Sequence, residues 1–295
     1  QGKKSINLPL GEIKISRKVK ALTVIFRSCT SVNMLTQNKK RLFDQDKSEY
    51  TFRSLNSIIV ALSQAKKALP KIKFGIVVID HNSKKKDLEQ IKKQLNKSSF
   101  ENSVISLNVN EFNNNIKKVN AKNEMVTKNQ ISNMSNIHKS LLIAKNQCND
   151  LVYFVEDDYL HKQDSINEMI FAYERISSQV NKELILCPAD YPYLYTKIDP
   201  TNIFLGSNKH WRRVEETLCT FFTSKIMLQK YWNKFISMCQ FEHYPFEQPL
   251  HDIYKSEYCL SPIPSLAIHC TNINSIFGLS PNVDWKKIWE ENKNY

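Results

Sequence analysis

The sequence has 295 residues, of which 41% are hydrophobic and 11% aromatic, and its formal net charge is +13. This length and composition exclude a disordered tail, and they are sufficient for one large domain or two small ones with a substantial core. No apolar run approaches the roughly 20 residues of a membrane-spanning helix, and the start of the sequence does not resemble a signal peptide. We therefore expect a cytoplasmic protein, which could lie at the inner face of a membrane.

The positive charge is compatible with a nucleic acid, an anionic membrane surface or a phosphorylated ligand as partner. Much of it lies in lysine- and asparagine-rich stretches such as KKVNAKNEMVTKNQ, which are typical of a solvated surface or loop. Because no nucleic-acid-binding motif accompanies the charge, we expect no nucleic-acid partner, whereas peripheral association with a membrane stays compatible with it. The seven cysteines are scattered and never form a C-x-x-C pair, which favours core thiols over a zinc site or disulfides.

The first half of the sequence alternates between apolar runs and amphipathic stretches. After a basic lead-in over residues 1–20, strands are predicted at 21–30, 71–83, 103–109 and 150–158, and helices at 48–69, 85–95 and 135–148. Polar loops are predicted after the first strand and at 110–130. This order predicts an α/β fold with a mostly parallel central sheet flanked by helices.

The second half is less regular. The predicted elements are a helix at 164–178, a strand at 183–190, a helix near 225–240, a short helix after His251 and a C-terminal helix within 283–293. Trp285 and Trp289 are four residues apart on one face of that last helix, and we expect this face to dock on the core rather than on a partner or a membrane.

Three of the predicted strands end on polar residues. They are Arg27, Ser28 and Thr30 after the first strand, Asp80, Asn82 and Ser83 after the second, and Glu156, Asp157 and Asp158 after the fourth. Ligands of open α/β sheets bind outside the carboxyl ends of the strands, so three polar strand ends at one edge predict a binding site. Taken singly, each group is also typical of an ordinary turn or helix cap.

The three adjacent carboxylates raise a question of charge. Their mutual repulsion and partial desolvation would cost several kcal/mol without a compensating cation. A hard divalent ion, Mn²⁺ or Mg²⁺, held by one or two carboxylates and the oxygens of a diphosphate would compensate that repulsion. Because neighbouring side chains on a strand point to opposite faces, the three carboxylates cannot all have the same role.

The motifs VIDHNS (78–83) and SNIHKSLLIAKNQCNDLVYFVEDD (135–158) resemble the nucleotide-sugar-binding half of GT-A fold glycosyltransferases, particularly the inverting family-2-like enzymes. The resemblance implies a GT-A fold with a donor-binding half over residues 1–160 and an acceptor-binding, catalytic half over 161–295. It implies that Asp80 lies at the base or ribose, that Asn136 is on the helix before the motif strand, and that Asp157 and Asp158 lie at the metal and donor sugar. Asp158 is the predicted direct metal ligand, and EDD is the form of the D-x-D motif here.

The second half carries a further part of the resemblance. In PLHDIYKSEYCLSPIPSLAIHC (249–270), Asp252 and His269 match the family's acidic pair at a helix start and its strand closing on a histidine. By that match Asp252 would be the general base and His269 a second metal ligand. The sequence departs from the family's pattern at His251, which occupies the position of the usual glutamate, and in having only five glycines.

Several other residues of the second half could take part in binding. In HWRRVEETLCTFF, Trp211 could stack on a sugar and Arg212 could pair with the diphosphate, or the segment could be a surface helix or strand with mixed charges. Glu216 is a second candidate for the base. Asp190, in the tyrosine-rich PADYPYLYT, is predicted to face the acceptor.

These observations predict a metal-dependent glycosyltransferase that moves a sugar from a nucleotide sugar, with a UDP-sugar expected, to a glycan, lipid-linked or protein acceptor. Inversion needs one base, which takes the proton from the acceptor hydroxyl, and a stabilised leaving diphosphate. Two alternatives stay open: a retaining transferase of the same fold, and a non-catalytic protein that binds nucleic acid or another polyanion through its positive charge.

Overall fold

The computed structural model describes residues 13–31, 41–196, 198 and 200–295. Residues 1–12 of the predicted lead-in and residues 32–40 of the loop predicted after the first strand lie outside the described residues. Within the described part, the strands are β1 Ala21–Ser28, β2 Lys73–Asp80, β3 Glu101–Ser106, β4 Leu151–Glu156, β5 Tyr159–His161, β6 Ile185–Leu186, β7 Ile203–Leu205, β8 His210–Arg213, β9 Phe221–Ser224, β10 Cys259–Ile263 and β11 Ala267–His269. The α-helices are α1 Lys47–Ala68, α2 Lys85–Asn96, α3 Lys128–Gln147, α4 Ser165–Val180, α5 Lys225–Lys230, α6 Trp232–Gln240, α7 Gln248–Tyr254 and α8 Trp285–Glu291. Short 3₁₀ helices cover Val109–Phe112 and Pro192–Tyr195.

The central sheet confirms the predicted α/β class. The described strands form one sheet in the order β3-β2-β1-β4-β9-β6-β10-β8-β7, and a separate two-stranded sheet pairs β5 with β11. The pairs β3-β2, β2-β1, β1-β4 and β6-β10 are parallel. The short strands β7, β8 and β9 pair with their neighbours in antiparallel fashion. The polar ends of β1, β2 and β4 therefore meet at one edge of the sheet.

Helices cover both faces of this sheet. Side chains alternate along β1 and β4, so Val24 and Tyr153 belong to one core cluster whereas Ile25 and Phe154 belong to the other. Helices α1, α2 and α4 pack on the first face, and α3, α5, α6 and α7 pack on the second. Because both faces are covered, β1, β2 and β4 are nearly continuous apolar runs, as is typical of buried parallel strands.

The second half differs from the prediction in several elements. The predicted strand at 183–190 is reduced to β6, and the predicted helix near 225–240 is divided at Tyr231, which leaves the helical conformation. The short helix α7 begins before His251, because Pro249 occupies its first turn, where a proline is tolerated. Helix α3 begins at Lys128, seven residues before the predicted start, since the Thr127 side chain accepts a hydrogen bond from the Gln130 amide and caps it.

The C-terminal helix α8 docks on the core, as predicted. Trp289 stacks on Phe43 with ring centroids 4.1 Å apart, and Trp285 meets the edge of the same ring at 5.5 Å. The Arg53 guanidinium lies 4.1 Å from the Trp289 ring centroid. All seven cysteines are free thiols and six are buried, in agreement with the predicted core thiols. In the described part of the chain, no helix is both long and apolar enough to cross a membrane.

Candidate functional site

The carboxyl ends of β1, β2 and β4 bring the predicted residues together. In the register of these strands Ser28 lies beside Asp80, and Arg27 lies beside Glu156. Asp157 and Asp158 follow Glu156 directly, so all three predicted polar groups share one edge. The three polar groups that the sequence predicted at one edge of the sheet do meet there, and the binding site itself stays a prediction.

Asp80 is the centre of a polar network on the β1-β2 side of the edge. Its Oδ1 atom accepts hydrogen bonds from the hydroxyls of Ser28 at 2.8 Å and Ser83 at 2.5 Å. The Ser83 hydroxyl oxygen also accepts a bond from the Thr30 amide at 2.9 Å. Asn82, with φ of 59°, makes the turn between Asp80 and Ser83 in the left-handed region that asparagine tolerates. These contacts orient a buried carboxylate at the end of β2.

Helix α3 adds two asparagines to this edge. The Asn136 side-chain amide donates to the Ile79 carbonyl at 3.1 Å, and its buried Oδ1 has no hydrogen-bond partner among the described residues. One turn earlier, Asn133 Oδ1 accepts a bond from Arg27 Nη1 at 3.1 Å. Asn136 therefore lies within one residue of Asp80, as its place in the motif implied.

Each carboxylate of the Glu156–Asp158 trio faces a basic side chain. Glu156 Oε1 lies 2.9 Å from Arg27 Nη2, and Asp157 Oδ1 forms an ion pair with Lys47 Nζ. Asp158 Oδ2 lies 3.3 Å from His269 Nε2. The basic side chains therefore offset the mutual repulsion of the trio. Charge compensation alone thus does not require a metal ion, contrary to the argument from the sequence.

Glu156 and Asp157 have further partners that fix their positions. The Thr220 hydroxyl donates to Glu156 Oε2 at 3.2 Å. Partial burial raises the pKa of Glu156, and the Arg27 guanidinium opposes this shift. Asp157 Oδ2 accepts bonds from the Thr51 hydroxyl at 2.9 Å and the Cys29 amide at 3.3 Å. Both Asp157 oxygens are therefore engaged in joining β1 and α1 to the end of β4, which favours a structural role for this residue.

Asp158 and His269 form the most distinctive pair of the edge. Tyr159 is the residue after Asp158, and the pairing of β5 with β11 places His269 opposite it. The rings of Tyr159 and His269 stack with centroids 4.9 Å apart. The Thr271 hydroxyl donates to Asp158 Oδ2 at 2.6 Å and lies 2.9 Å from His269 Nε2. His269 Nδ1 lies 3.0 Å from the Phe277 carbonyl, which fixes the ring.

The ionisation of this pair follows from its charges. Burial disfavours the charged form of Asp158, but His269 and Lys47 outweigh it and hold the pKa of this carboxyl below its usual value. Burial would lower the pKa of His269, but the Asp158 carboxylate and the Phe277 carbonyl outweigh it and raise this pKa. Each group therefore favours the charged form of the other, and a cation bound at His269 Nε2 would have to displace the proton from that nitrogen.

Asp158 and His269 also fit a divalent cation. Asp158 Oδ1 is a buried oxygen with no hydrogen-bond partner among the described residues, and His269 Nε2 lies beside the other oxygen of the same carboxylate. Within the described residues, no set of three His, Cys, Asp or Glu side chains could hold a metal ion by itself. A two-ligand site suits Mg²⁺ or Mn²⁺, since Mg²⁺ is commonly held by one or two carboxylates together with substrate phosphates and water.

The predicted role of Trp211 is wrong. Its side chain is 0% exposed, so its ring cannot stack on a sugar, and its indole N–H donates to Glu168 Oε1 at 3.1 Å. Glu168 also accepts bonds from the amides of Ser207 and Asn208. A Cβ atom at Gly206 would lie 2.3 Å from Glu168 Oε1, so this turn requires a glycine. Trp211 is a residue of β8, and its side chain belongs to the hydrophobic core.

Arg212 and Asp190 pair with each other instead of facing a ligand. Arg212 Nη2 bonds to Asp190 Oδ1, and the Tyr195 hydroxyl donates to Asp190 Oδ2 at 2.5 Å. Burial raises the pKa of Asp190, against the effects of Tyr195 and Arg212. Asp190 is 1% exposed, so the prediction that it contacts an acceptor does not agree with its position. The prediction that Arg212 contacts a diphosphate is likewise replaced by this internal ion pair.

The two predicted bases lie in different surroundings. Asp252 is a half-buried residue of α7, with Lys255 Nζ at 2.7 Å and Lys234 Nζ at 3.4 Å. Both of its oxygens are engaged by Lys255, Lys234 and Gln248, and the Lys255 contact is the main cause that lowers its pKa to about 2, which argues against its predicted role as the base. Glu216 is half-buried, and its backbone carbonyl accepts a bond from the Tyr193 hydroxyl at 2.6 Å.

Sequence reasoning missed Lys47, Thr220 and Thr271 at this edge. Lys47 is 110 residues from its partner Asp157, and Thr220 is 64 residues from Glu156. Lys47 belongs to no motif, and nothing in HWRRVEETLCTFF distinguishes Thr220, so only the fold reveals their positions. Thr271 was the most accessible to prediction, because it lies two residues after His269, on the same side of an extended segment.

Comparisons with known proteins give structural matches only. No protein-family model matches the sequence, and no curated protein shows significant similarity to it. Staphylococcus aureus TarS matches with 14% identity and a TM-score of 0.38, covering 72% of this chain and 29% of TarS. The galactosyltransferase LgtC, in complex with donor and acceptor sugar analogues, matches with 12% identity and a TM-score of 0.37, covering 78% of this chain and 66% of LgtC. A UDP-glucose pyrophosphorylase from Acinetobacter baumannii matches with 10% identity and a TM-score of 0.41, covering 94% and 92%. The chain thus spans about a third of the length of TarS, and the chemistry proposed below rests on its own side chains.

Proposed function

We propose that this protein is a metal-dependent glycosyltransferase that takes a sugar from a UDP-sugar donor and transfers it, with inversion, to a glycan, lipid-linked or protein hydroxyl. The observation that supports this most strongly is the pairing of Asp158 with His269 at the carboxyl edge of the parallel strands. One oxygen of Asp158 is buried there and has no hydrogen-bond partner in the described part of the chain, in a position suited to a cation.

The donor would lie across the edge of the sheet. Asp80, oriented by the Ser28 and Ser83 hydroxyls, offers a carboxylate that can accept a hydrogen bond from a base N–H or a ribose hydroxyl. The trio at the end of β4 lies two strands away, with Asp158 and His269 as the ligands for Mn²⁺ or Mg²⁺. Such an ion supplies Lewis-acid stabilisation of negative charge on the leaving diphosphate.

The basic side chains of the site support an anionic donor. Arg27 and Lys47 are largely buried and lie beside the trio. Two basic groups at the edge reduce the local negative potential that would otherwise repel a diphosphate. A single displacement then needs one further group, a base on the acceptor side.

The first test is thermal unfolding of the full chain with UDP, in the presence and absence of Mn²⁺. A ligand at 100 times its Kd adds about 2.7 kcal/mol to the stability of the native state, so UDP with Mn²⁺ should raise Tm clearly, and UDP alone should not. If neither UDP nor GDP raises Tm in the presence of Mn²⁺, the proposal fails.

The same protein can be tested against the two alternatives. The anomeric configuration of the released or transferred sugar, followed by proton NMR, separates inversion from retention. A nucleic-acid-binding protein would instead bind a labelled oligonucleotide with an affinity that falls steeply with salt.

A further inference from the structure

Helix α7 is fixed with one face against the segment that precedes β9. His251 Nε2 lies 3.2 Å from the Thr217 nitrogen and 3.0 Å from the Thr217 carbonyl oxygen. One turn further on, the Tyr254 hydroxyl lies 2.8 Å from Thr217 Oγ1. These contacts determine which residues of α7 face the interior and which face solvent.

Glu247, the residue that caps the start of α7, lies on the side of His251 and Tyr254, whereas Asp252 does not. Residues 247, 251 and 254 are spaced four and then three apart, which places them on one side of a helix. At about 100° per residue, position 252 is about 140° round the helix from position 247. The contacts agree with this geometry, because Glu247 Oε1 lies 3.7 Å from Cys219 Sγ whereas Asp252 meets the exposed Lys234 and Lys255.

Cys219 connects Glu247 to the candidate site. In the antiparallel pair of β4 and β9, Phe154 is opposite Phe221, so the same register carried two residues further places Cys219 opposite Glu156. The intervening Thr220 confirms the proximity, since Glu156 N donates to its hydroxyl oxygen at 3.1 Å. Glu156 and Glu247 both raise the pKa of the Cys219 thiol, after burial as the largest cause. Glu247 is therefore separated from the Glu156–Arg27 pair by one cysteine side chain.

We infer that Glu247 is the general base of the transfer reaction. This inference rests on the proposed function and identifies the group that reaction requires on the acceptor side. A lone pair of the acceptor oxygen forms the new bond to the anomeric carbon, while the bond from that carbon to the β-phosphate oxygen breaks and its electron pair leaves with the diphosphate. The acceptor proton passes to a Glu247 carboxylate oxygen.

The test compares two matched variants, E247Q and D252N, in the full chain. The assay measures UDP release from UDP-glucose, UDP-galactose and UDP-N-acetylglucosamine with Mn²⁺, with water as the acceptor. We expect E247Q to lose about 10²- to 10⁴-fold in the rate of UDP release, which is the usual contribution of a positioned base. D252N should stay within about twofold of the wild type, because Asp252 lies on the other face, where it is paired with the exposed Lys234 and Lys255.

Two readouts separate a base from a structural residue. The rise in Tm caused by UDP and Mn²⁺ should be the same in E247Q as in the wild type, and E247D, which keeps the carboxylate on a shorter side chain, should retain part of the rate. Near-normal UDP release by E247Q, or loss of UDP binding in E247Q or E247D, would overturn the inference. A wild-type protein that neither binds UDP with Mn²⁺ nor releases it from any of the three donors overturns the proposed function itself, and the inference with it.

Discussion

Asp158 and Asp190 follow two strands of the same sheet that run in the same direction, and each forms an ion pair with a basic residue from a distant segment. The two carboxylates differ in how many of their oxygens accept a hydrogen bond. Both oxygens of Asp190 have donors, from Arg212 and Tyr195, whereas among the described residues only Oδ2 of Asp158 has one. An acidic residue at a strand end is thus a candidate ligand for a cation when its partners leave an oxygen unused, and a structural residue when they do not.

The largest difference between the two carboxylates should appear in D158N. This change removes the anionic ligand but keeps the shape of the side chain. We expect UDP to lose its Mn²⁺-dependent effect on Tm and the rate of UDP release to fall by about 10⁴-fold, which corresponds to about 5.4 kcal/mol. The measurements are thermal unfolding with and without UDP and Mn²⁺, and UDP release from a UDP-sugar. Unchanged Mn²⁺-dependent UDP binding in D158N would remove Asp158 from the metal site.

The second expectation concerns the structural pair. In R212M the Asp190 carboxylate stays buried without its ion-pair partner, so we expect a loss of about 3 kcal/mol in the free energy of unfolding, as is common when one member of a buried ion pair is removed. Urea unfolding measures this loss, and R212K is the matched variant that keeps the charge. UDP with Mn²⁺ should still raise Tm in R212M. A loss of UDP binding without a loss of stability would instead support the original prediction that Arg212 contacts the diphosphate.

The third effect, the smallest of the three when taken per pH unit, contrasts two histidines of the β5-β11 sheet. Burial lowers the pKa of His161 to about 3 from its usual 6.5, and Tyr153 Oη lies 2.5 Å from its Nε2. At pH values between these two pKa values, the unfolded chain binds a proton on His161 that the folded chain does not. The contribution of His161 is therefore complete above about pH 6.5 and is lost as the pH falls towards 3, by up to about 1.4 kcal/mol per pH unit.

Urea unfolding at several pH values between 7 and 4 checks this sign. H161Q should lose less stability per pH unit on acidification than the wild type, because glutamine does not titrate and can still accept a bond from Tyr153. An unchanged slope would mean that His161 is not the group responsible. His269 is the opposite case, since its raised pKa contributes stability that is present at low pH and lost as the pH rises through its folded value.

The parts of the fold that sequence reasoning predicted are those with strong local patterns. The strands β1, β2 and β4 are long apolar runs, and α1 has a clear helical spacing, so their existence followed from periodicity. The strands β7, β8 and β9 were not assigned because each has only three or four residues, too few to show a period. Such segments become strands through pairing with their neighbours, and a single sequence does not reveal that pairing.

Site residues that belong to a motif could be predicted from the sequence. Residues whose position depends on tertiary contacts could not. The meeting of Asp158 and His269 was implied by the resemblance, and the fold brings them together. The prediction for Trp211 was wrong because the sequence does not show that this aromatic residue, which precedes two arginines, is buried. The assignment of Asp252 failed for a related reason, since the difference between the two faces of α7 depends on where His251 and Tyr254 make contact.

The two-stranded β5-β11 sheet has a consequence for the order of synthesis. Asp158 bonds to a residue 113 positions later, on the extension of β11. At typical elongation rates of 5–20 residues per second, a ribosome adds that stretch in roughly 6 to 23 s. During this interval the parallel strands and Asp158 already exist, but their partners from β11 do not. A nascent chain would therefore complete its proposed cation site only late in translation, well after the parallel strands have been synthesised.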